Sequence, residues 1–402
     1  MLKSTSKTFL WKLTDSRDNR KAENWEADGK EITPECPAGW SIKKIELHGG
    51  KQEGVDIIVV NNGKLVLTVI PTRGMGILDV KMGELRLGWD SPVREIVHPA
   101  FINLHGRGGL GWLEGFNEWL VRCGLESNGA PGVDQFITNT GDKGRMELTL
   151  HGRIANLPAQ EVEIAVDKEP PYRLRVRGRV DERTFFGPKL ELWTELSTEP
   201  GSGTFRVADV VTNRGDLPQE FELLYHINFG RPLLEAGSEF LAPISQFRPF
   251  NERAATGISH FNRFGAPHKG FIEQVYGLKL LAAENGRTAV MLRNREKDKA
   301  VMMEYPLTEL PFFTLWKNTA SENEGYVTGL EPGTNFPHNR RFERLFGRVP
   351  KLRASESWNA TVDFSVLDGK EEVSAAAEVI SSLQKDHTIL ILKEPEKIEA
   401  EA

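Results

Sequence analysis

Two histidines and one glutamate stand out because each lies where an apolar run gives way to residues that turn the chain. His151 is followed by a glycine, His226 by an asparagine two positions on, and Glu331 by a Pro-Gly pair. Taken singly, such a histidine is usually a hydrogen-bonded strand residue, and such a glutamate is usually a turn residue. Together, one carboxylate and two imidazoles are the groups that general acid–base chemistry near neutral pH requires. The combination predicts a proton-transfer site.

Aromatic and cationic side chains that suit a sugar ligand accompany these three residues. Aromatic rings can stack on the face of a sugar, and the candidates are Trp112, Phe116, Trp119 and Trp316. A guanidinium fork can bind vicinal hydroxyls or an anionic substituent, and the candidates are Arg73 and Arg153. These side chains are predicted to bind substrate.

The elements that must position these residues are β-strands. Short β-branched runs, or strict alternation that indicates one wet and one buried face, recur along most of the chain. They occupy 42–47, 55–60, 64–70, 146–150, 161–166, 173–180, 190–196, 205–212, 221–227, 279–283, 288–293, 312–316 and 358–366. Turn signals rich in glycine and asparagine lie between them. The pattern predicts an all-β protein, a large antiparallel β-sandwich.

The C-terminal segment has a different pattern. Apolar residues recur there at helical spacing, which predicts one amphipathic helix over 371–383. A last strand is predicted at 389–392, followed by a charged tail that we expect to be frayed. We therefore divide the chain into a β-sandwich, residues 1–370, and a C-terminal appendage, residues 371–402. The appendage is expected either to cap a sheet edge or to contact a second copy of the chain in a homodimer.

Composition excludes several classes of protein. The 402 residues carry 51 Lys and Arg against 57 Asp and Glu, a net charge of −6 with neutral histidines. So small an excess predicts neither a nucleic-acid partner nor an anionic membrane surface. The longest apolar runs, of about four residues, are too short for a membrane span, and the first residues hold no signal-peptide core. Two cysteines exclude a disulfide framework, so we expect a cytoplasmic protein.

Motifs for cofactors and metals are weak. Residues 106–111 formally match G-x-G-x-x-G, but the βαβ context that a dinucleotide site needs is not indicated around them. The nine histidines include no pair at metal-ligand spacing. We expect no cofactor and no metal. A basic cluster at 340–348 is interrupted by Glu343, so a solvated or carboxylate-paired face is expected there.

The sequence resembles the galactose mutarotase-like superfamily, the aldose 1-epimerases, and within it an aldose 1-epimerase-like branch. The resemblance runs from about Lys44 to about Val366. The segments that carry it are PTRGMGI, GWDSP, LHGRIANLPA, YHINFGRPLL, FIEQVY and TGLEPGTNFP. It implies a galactose mutarotase-like supersandwich. It also implies an isomerase that interconverts the α and β anomers of a free monosaccharide without a cofactor.

The resemblance also implies a role for individual residues. His151 matches the first histidine motif, whose imidazole hydrogen-bonds the substrate near the ring oxygen. His226, with Asn228 behind it, matches the second histidine motif, whose imidazole is the general acid, and Asn228 is counted among the substrate-binding residues. Glu331 matches the general base, and Glu273 is the nearest match to an aspartate that binds sugar hydroxyls.

This sequence departs from the family pattern around two of these residues. Asn228 lies closer to His226 than in the family motif, and the spacing from Glu331 to the following Phe-Pro is one residue longer. The assigned roles also need an ionised Glu331 and a protonated His226 near pH 7. Hydrogen-bond donors in the turn at 333–335 are expected to keep Glu331 ionised.

Two other functions stay open at this point. One is a different sugar isomerase or modifying enzyme on the same sandwich that acts on an anionic or otherwise modified sugar. The cations that favour it are Arg73, Arg107, Arg153, Arg231 and Lys317, and Lys317 is counted among the substrate-binding residues. The other is a non-catalytic carbohydrate-binding protein, in which loss of Glu331 would change affinity rather than rate.

Overall fold

The computed structural model describes residues 2–4 and 7–397, with 44% of residues in strands and 14% in helices. The strands are β1 (Leu2–Ser4), β2 (Thr8–Asp15), β3 (Arg20–Lys21), β4 (Trp25–Asp28), β5 (Ser41–Leu47), β6 (Val55–Asn61), β7 (Val66–Ile70), β8 (Gly76–Met82), β9 (Leu85–Leu87), β10 (Leu120–Leu125), β11 (Gly132–Ile137), β12 (Lys143–Leu148), β13 (Glu161–Asp167), β14 (Leu174–Arg183), β15 (Lys189–Thr198), β16 (Thr204–Asn213), β17 (Gln219–Glu220), β18 (Glu222–Phe229), β19 (Glu239–Leu241), β20 (Ile244–Pro249), β21 (Gln274–Leu280), β22 (Arg287–Arg293), β23 (Lys299–Pro306), β24 (Phe312–Asn318), β25 (Val327–Gly333), β26 (Lys351–Leu352), β27 (Ser357–Asp368) and β28 (Leu390–Ile391). The α-helices are α1 (Gly29–Ile32), α2 (Gly106–Gly109), α3 (Glu252–Ala255), α4 (Arg340–Leu345) and α5 (Lys370–Gln384).

Most strands belong to two large sheets. Sheet I has the order β1-β2-β13-β14-β15-β16-β27-β23-β22-β19, with β3 on β2. Sheet II has the order β28-β20-β21-β24-β25-β18-β10-β8-β7-β6-β5-β4, with β9 on β8. The pairs β11-β12 and β17-β26 stand apart, and among the named strands only β28 pairs in parallel, with β20. The prediction of a large antiparallel β-sandwich is confirmed.

The main core lies between the two sheets. Its buried apolar side chains include Val176 of sheet I and Ile227 and Leu315 of sheet II. Because side chains alternate along a strand, the neighbours of these sheet II residues point to the opposite face. One buried ion pair crosses the core, with Arg122 Nε 2.5 Å from Asp209 Oδ2. The core therefore fixes the position of sheet II, and the outer face of that sheet is free to carry polar chemistry.

The C-terminal appendage spans both sheets. Helix α5 confirms the predicted helix, and it packs Val373 and Ile380 against β22 and β23. Strand β28 then pairs with β20 at the edge of sheet II, so the appendage caps a sheet edge. In the charged tail that was expected to be frayed, Glu396 lies 2.7 Å from an Arg348 nitrogen. The remainder of the predicted tail, 398–402, lies outside the described residues.

Several strands differ from the prediction. The strand predicted at 279–283 is instead Gln274–Leu280, and Glu331 lies within β25 rather than between a strand and a turn. Strands that the alternation did not reveal include β8, β10, β20 and β23. Each of these is buried on both faces or interrupted by polar residues, so it lacks a period-two pattern.

The basic cluster at 340–348 is paired with carboxylates, as predicted. Arg340 and Arg344 each lie within 2.8 Å of Asp134, and Arg348 lies 2.7 Å from Glu343. No α-helix in residues 2–4 and 7–397 is long and apolar enough to cross a membrane.

Candidate functional site

Four neighbouring strands of sheet II carry the candidate site on the face that points away from the main core. The register pairs Val121 of β10 with His226 of β18, and Thr314 of β24 with Glu331 of β25. Strands β18 and β25 are themselves neighbours in the sheet. The two predicted proton-transfer residues are therefore side by side although 105 positions separate them in the chain.

The orientation of His226 is set by Asn228, two residues along the same strand and so on the same face. The Asn228 amide nitrogen donates to the carbonyls of Glu118 at 3.0 Å and His226 at 3.3 Å. The Asn228 oxygen is therefore the acceptor that lies 2.7 Å from His226 Nδ1. We accordingly assign a proton to Nδ1, which leaves Nε2 facing Glu331.

His226 and Glu331 form a buried pair. His226 Nε2 lies 3.3 Å from Glu331 Oε1, and the two side chains are 6% and 2% exposed. The alignment is not that of a hydrogen bond, and Oε1 is buried without a hydrogen-bond partner. Burial raises the pKa of Glu331 well above its ordinary value, and burial lowers the pKa of His226 well below its own. The pair is thus neutral and holds one proton between Nε2 and the carboxylate.

The hydrogen-bond donors that were expected to keep Glu331 ionised bond to other groups. In the turn at 333–335, the Thr334 amide donates to the carbonyl of Leu223, and the Asn335 side chain donates to Glu222. No backbone donor therefore holds Glu331 ionised among the described residues, and the expectation that this turn would do so was wrong. The turn instead fixes the strand that carries the carboxylate.

His151 reaches the same site from a tight turn. Its backbone has φ +59° and that of Gly152 φ +68°, and a Cβ at Gly152 would meet the carbonyl oxygen of Ser127 at 2.1 Å. The glycine after this histidine is therefore required by the turn. The two imidazole rings, of His151 and His226, have centroids 5.3 Å apart.

The hydrogen bond of His151 determines what its free nitrogen can do. Nδ1 lies 2.8 Å from the carbonyl oxygen of Asn128, to which it donates. Burial lowers the pKa of His151 to about 4, so the ring is neutral at pH 7. Its Nε2 is then an acceptor, which can bind a hydroxyl group but not an ether oxygen.

A buried carboxylate that sequence reasoning missed supports both loops of the site. Glu222 accepts from the Asn128 amide at 3.0 Å and from the Asn335 side chain at 2.8 Å. It thereby links the residue that holds His151 to the segment that follows Glu331. Burial raises the pKa of Glu222 to about 8. Its position at the start of an apolar strand carried no signal that could distinguish it from a surface glutamate.

Aromatic side chains surround the two imidazoles. The Trp112 ring has its centroid 4.7 Å from that of His151, and those of Phe116 and Trp316 lie 5.2 and 5.4 Å from that of His226. Two of the predicted sugar-binding residues are joined here, because Trp316 Nε1 donates to Glu273 at 2.7 Å. Trp112 Nε1 is buried without a hydrogen-bond partner, so it is an available donor in the wall of the site.

Two further residues shape the surroundings of the carboxylate, and the sequence did not single out either. A Cβ at Gly329 would lie 2.3 Å from Glu331 Oε1, so only glycine leaves room for the carboxylate in this position. Thr314, paired with Glu331 in the register, has a buried hydroxyl without a hydrogen-bond partner. Unsatisfied polar groups are costly inside proteins, so their concentration here is typical of a site that takes a polar ligand.

The predicted cations are not brought together around this pair. Arg73 is buried, 2.8 Å from Glu118 and bonded to the carbonyls of Val97 and Gly115. Arg153 is 40% exposed and lies 3.9 Å from the carboxylates of Glu126 and Glu182.

Two other predicted residues lie on the core side of sheet II. Lys317 follows Trp316 in β24 and therefore points to the opposite face. Trp119, expected to stack on sugar, packs instead against Phe205 and Phe364 in the main core. No group of three or more His, Cys, Asp or Glu side chains in the described chain is arranged to hold a metal ion.

Solved structures identify the class of fold. A putative aldose 1-epimerase from Klebsiella pneumoniae is 39% identical to this chain, with a TM-score of 0.92 over 98% of this chain and 100% of its own. A galactose mutarotase-like protein from Clostridium acetobutylicum has 14% identity and a TM-score of 0.54, over 81% of this chain and 98% of its own. A galactose 1-epimerase from Lactobacillus acidophilus has 12% identity and a TM-score of 0.50, over 82% and 99%. The protein is a galactose mutarotase-like β-sandwich.

A match to a protein-family model shows the family of this chain. The model described as "Domain of unknown function (DUF4432)" matches residues 52–366, which hold all three proton-transfer candidates. The chain therefore belongs to the DUF4432 family. No curated protein sequence matches it.

Proposed function

We propose that this chain is an aldose 1-epimerase, which interconverts the α and β anomers of a free sugar by opening and closing the ring. The observation that carries the proposal is the buried His226–Glu331 pair, with Nε2 3.3 Å from Oε1. Opening a cyclic aldose requires one proton to leave O1 and one to reach O5. A buried pair in which one group holds a proton and the other lacks one can perform both transfers.

In the proposed mechanism, binding of the sugar shifts the proton of the pair from Glu331 to His226. Sugar hydroxyls that hydrogen-bond to the carboxylate favour ionised Glu331, and its proton passes to His226 Nε2 over the 3.3 Å between them. Glu331 then takes the proton from O1, and His226 gives its proton to O5. Rotation about C1–C2 followed by the reverse transfers closes the other anomer. Each transfer contributes about 10²- to 10⁴-fold.

His151 has a positioning role in this proposal. Because its free nitrogen is an acceptor, we propose that it accepts a hydrogen bond from a sugar hydroxyl rather than holding the ring oxygen. Glu273, which is fixed by Trp316, is a second acceptor for hydroxyls. Trp112 supplies the complementary donor through its unpartnered Nε1. We accordingly expect a polyhydroxylated substrate bound between these groups.

The charges near the pair favour a neutral sugar over an anionic one. Glu273 raises the pKa of Glu331 further through its negative charge, and an anionic substituent close by would be repelled in the same way. Two of the cations that would favour an anionic sugar, Arg73 and Lys317, are directed to other partners. This is why the anionic-sugar alternative is the second candidate.

The test is to measure the rate of anomer exchange by NMR. Freshly dissolved single anomers of glucose, galactose, fucose, rhamnose and a uronic acid would be mixed with the wild type, with Glu331→Gln and with Glu284→Gln. Glu284 is exposed and distant from the pair in sequence, so its variant controls for the substitution itself. We expect exchange of at least one neutral sugar to be accelerated by the wild type and by Glu284→Gln but not by Glu331→Gln.

Two outcomes would replace the proposal. Sugar binding in saturation-transfer spectra without acceleration by the wild type would indicate a carbohydrate-binding protein. Acceleration that survives intact in Glu331→Gln would remove this carboxylate from the general-base role.

A further inference from the structure

A cavity lies on the other side of sheet II from the His226–Glu331 pair. It has a volume of about 400 Å³ and lies between β21, β24 and the segment that joins β20 to β21. The cationic side chains that line it are Arg253, Arg263 and Lys317, and two histidines, His260 and His268, also line it. A volume of this size is typical of small-molecule sites.

Strand alternation separates this cavity from the candidate active site. Gln274 of β21 and Lys317 of β24 are direct partners in the register and line the cavity. Trp316, the residue before Lys317, points to the opposite face, where it bonds Glu273 and contacts His226. A ligand in the cavity would therefore not touch the proton-transfer pair.

Lys317 is a buried cation without a carboxylate partner. It is 3% exposed, and its ammonium group donates to the backbone carbonyls of His260 at 3.1 Å and Arg263 at 2.7 Å. No Asp or Glu within the described residues lies at ion-pair distance from it, and burial lowers its pKa to about 8. A buried charge without a counter-ion is unfavourable, so an anion in the cavity would be stabilised by this residue.

Two arginines at the cavity add donors for such an anion. Arg253 uses Nε on the carbonyl of Ile272 and one terminal nitrogen on Thr256, which leaves its other terminal nitrogen without a described partner. The Arg263 side chain is 72% exposed and lies 3.6 Å from Glu239. Guanidinium groups with free donors bind phosphate oxygens in a planar, forked geometry. No carboxylate is among the described side chains that line the cavity.

We propose that this cavity is a second ligand site, distinct from the proton-transfer centre, and that it takes a small phosphate-bearing molecule. The buried ammonium and the two guanidinium groups neutralise the dianion, and the cavity volume accommodates a phosphorylated monosaccharide as well as the free ion. This inference does not depend on the proposed epimerase activity.

The test is calorimetric titration of the full-length protein with inorganic phosphate, glucose 6-phosphate and glucose. The wild type, Arg253→Gln/Arg263→Gln and the control Arg341→Gln would be compared, since Arg341 is exposed and outside the cavity. We expect phosphate binding that weakens as the ionic strength rises from about 0.05 to about 0.2 M. The double variant should bind about 10-fold more weakly or worse, with the control unchanged.

Further measurements distinguish inorganic from organic phosphate as the ligand, and the cavity from the His226–Glu331 site. Tighter binding of glucose 6-phosphate than of inorganic phosphate would identify an organic phosphate as the occupant, and the reverse would identify the free ion. Glu331→Gln should retain the binding, because that carboxylate lies on the opposite face of the sheet. Undetectable binding of both phosphates, or equal binding by the double variant and the control, would overturn the proposal.

Discussion

Gly329 offers a test of how closely the position of the Glu331 carboxylate is defined. A methyl group at this position would lie 2.3 Å from Glu331 Oε1, whereas ordinary contact begins near 3.4 Å. The Gly329→Ala variant must therefore displace the carboxylate by about 1 Å, and a misplacement of that size costs about 100-fold in rate. The Trp316 ring lies at 3.2 Å from the same methyl and limits the alternative ways to relieve the contact.

The assay is anomer exchange by NMR on whichever sugar the wild type accelerates, together with thermal unfolding. Alanine in place of a strand glycine changes stability by only about 1 kcal/mol, so the variant should remain folded at the assay temperature. Gly39→Ala is the matched control, because a methyl group at Gly39 would have no neighbour within 4 Å. A Gly329→Ala variant that is folded and retains the wild-type rate would refute the reasoning, since the carboxylate would then not be needed where the structure places it.

Three further predictions concern the orientation of His226, the proton of its pair with Glu331, and the ion pair in the main core. Asn228→Leu removes the acceptor that orients His226, and we expect exchange to slow by about 10- to 100-fold without loss of the folded state, as measured by NMR and circular dichroism. The wild-type rate should be constant through neutral pH. At any pH above the lowered pKa of His226 and below the raised pKa of Glu331, the pair holds one proton. A pH–rate profile with a single ionisation near the ordinary histidine value of 6.5 would contradict this. Asp209→Ala leaves the buried guanidinium of Arg122 unpaired and should lower the free energy of unfolding by about 3–5 kcal/mol in urea denaturation, and a loss below about 1 kcal/mol would show that the core solvates this charge by other means.

The class of fold was predictable from the sequence because half-buried strands leave a period-two pattern. Segments such as 173–180 alternate strictly, and the corresponding strand β14 has one face in the core. Strand β10 was not predictable in this way, because all six of its residues are buried. A strand covered on both faces has no wet side, so its sequence carries no alternation.

The candidate site was predictable in its residue types but not in its protonation. His151, His226 and Glu331 were recognisable from their order and from the residues that follow them, and the structure brings them to one face of one sheet. Their charges were not predictable, because a pKa shift depends on burial and on partners from distant segments. The acceptor that orients His151, the carbonyl of Asn128, is a backbone atom that every residue type offers.

The sequence by itself determined the alternating strands, the C-terminal helix and the identity of the groups able to move protons, since these depend on local pattern and residue chemistry. Only the tertiary structure decided which of these groups meet. The register of four strands places Glu331 beside His226, and strand alternation puts Lys317 on the opposite face of the sheet from Trp316, where it lines a cavity. Register and burial arise from hydrogen bonds and packing between segments far apart in the chain, so they are collective properties that no single segment carries.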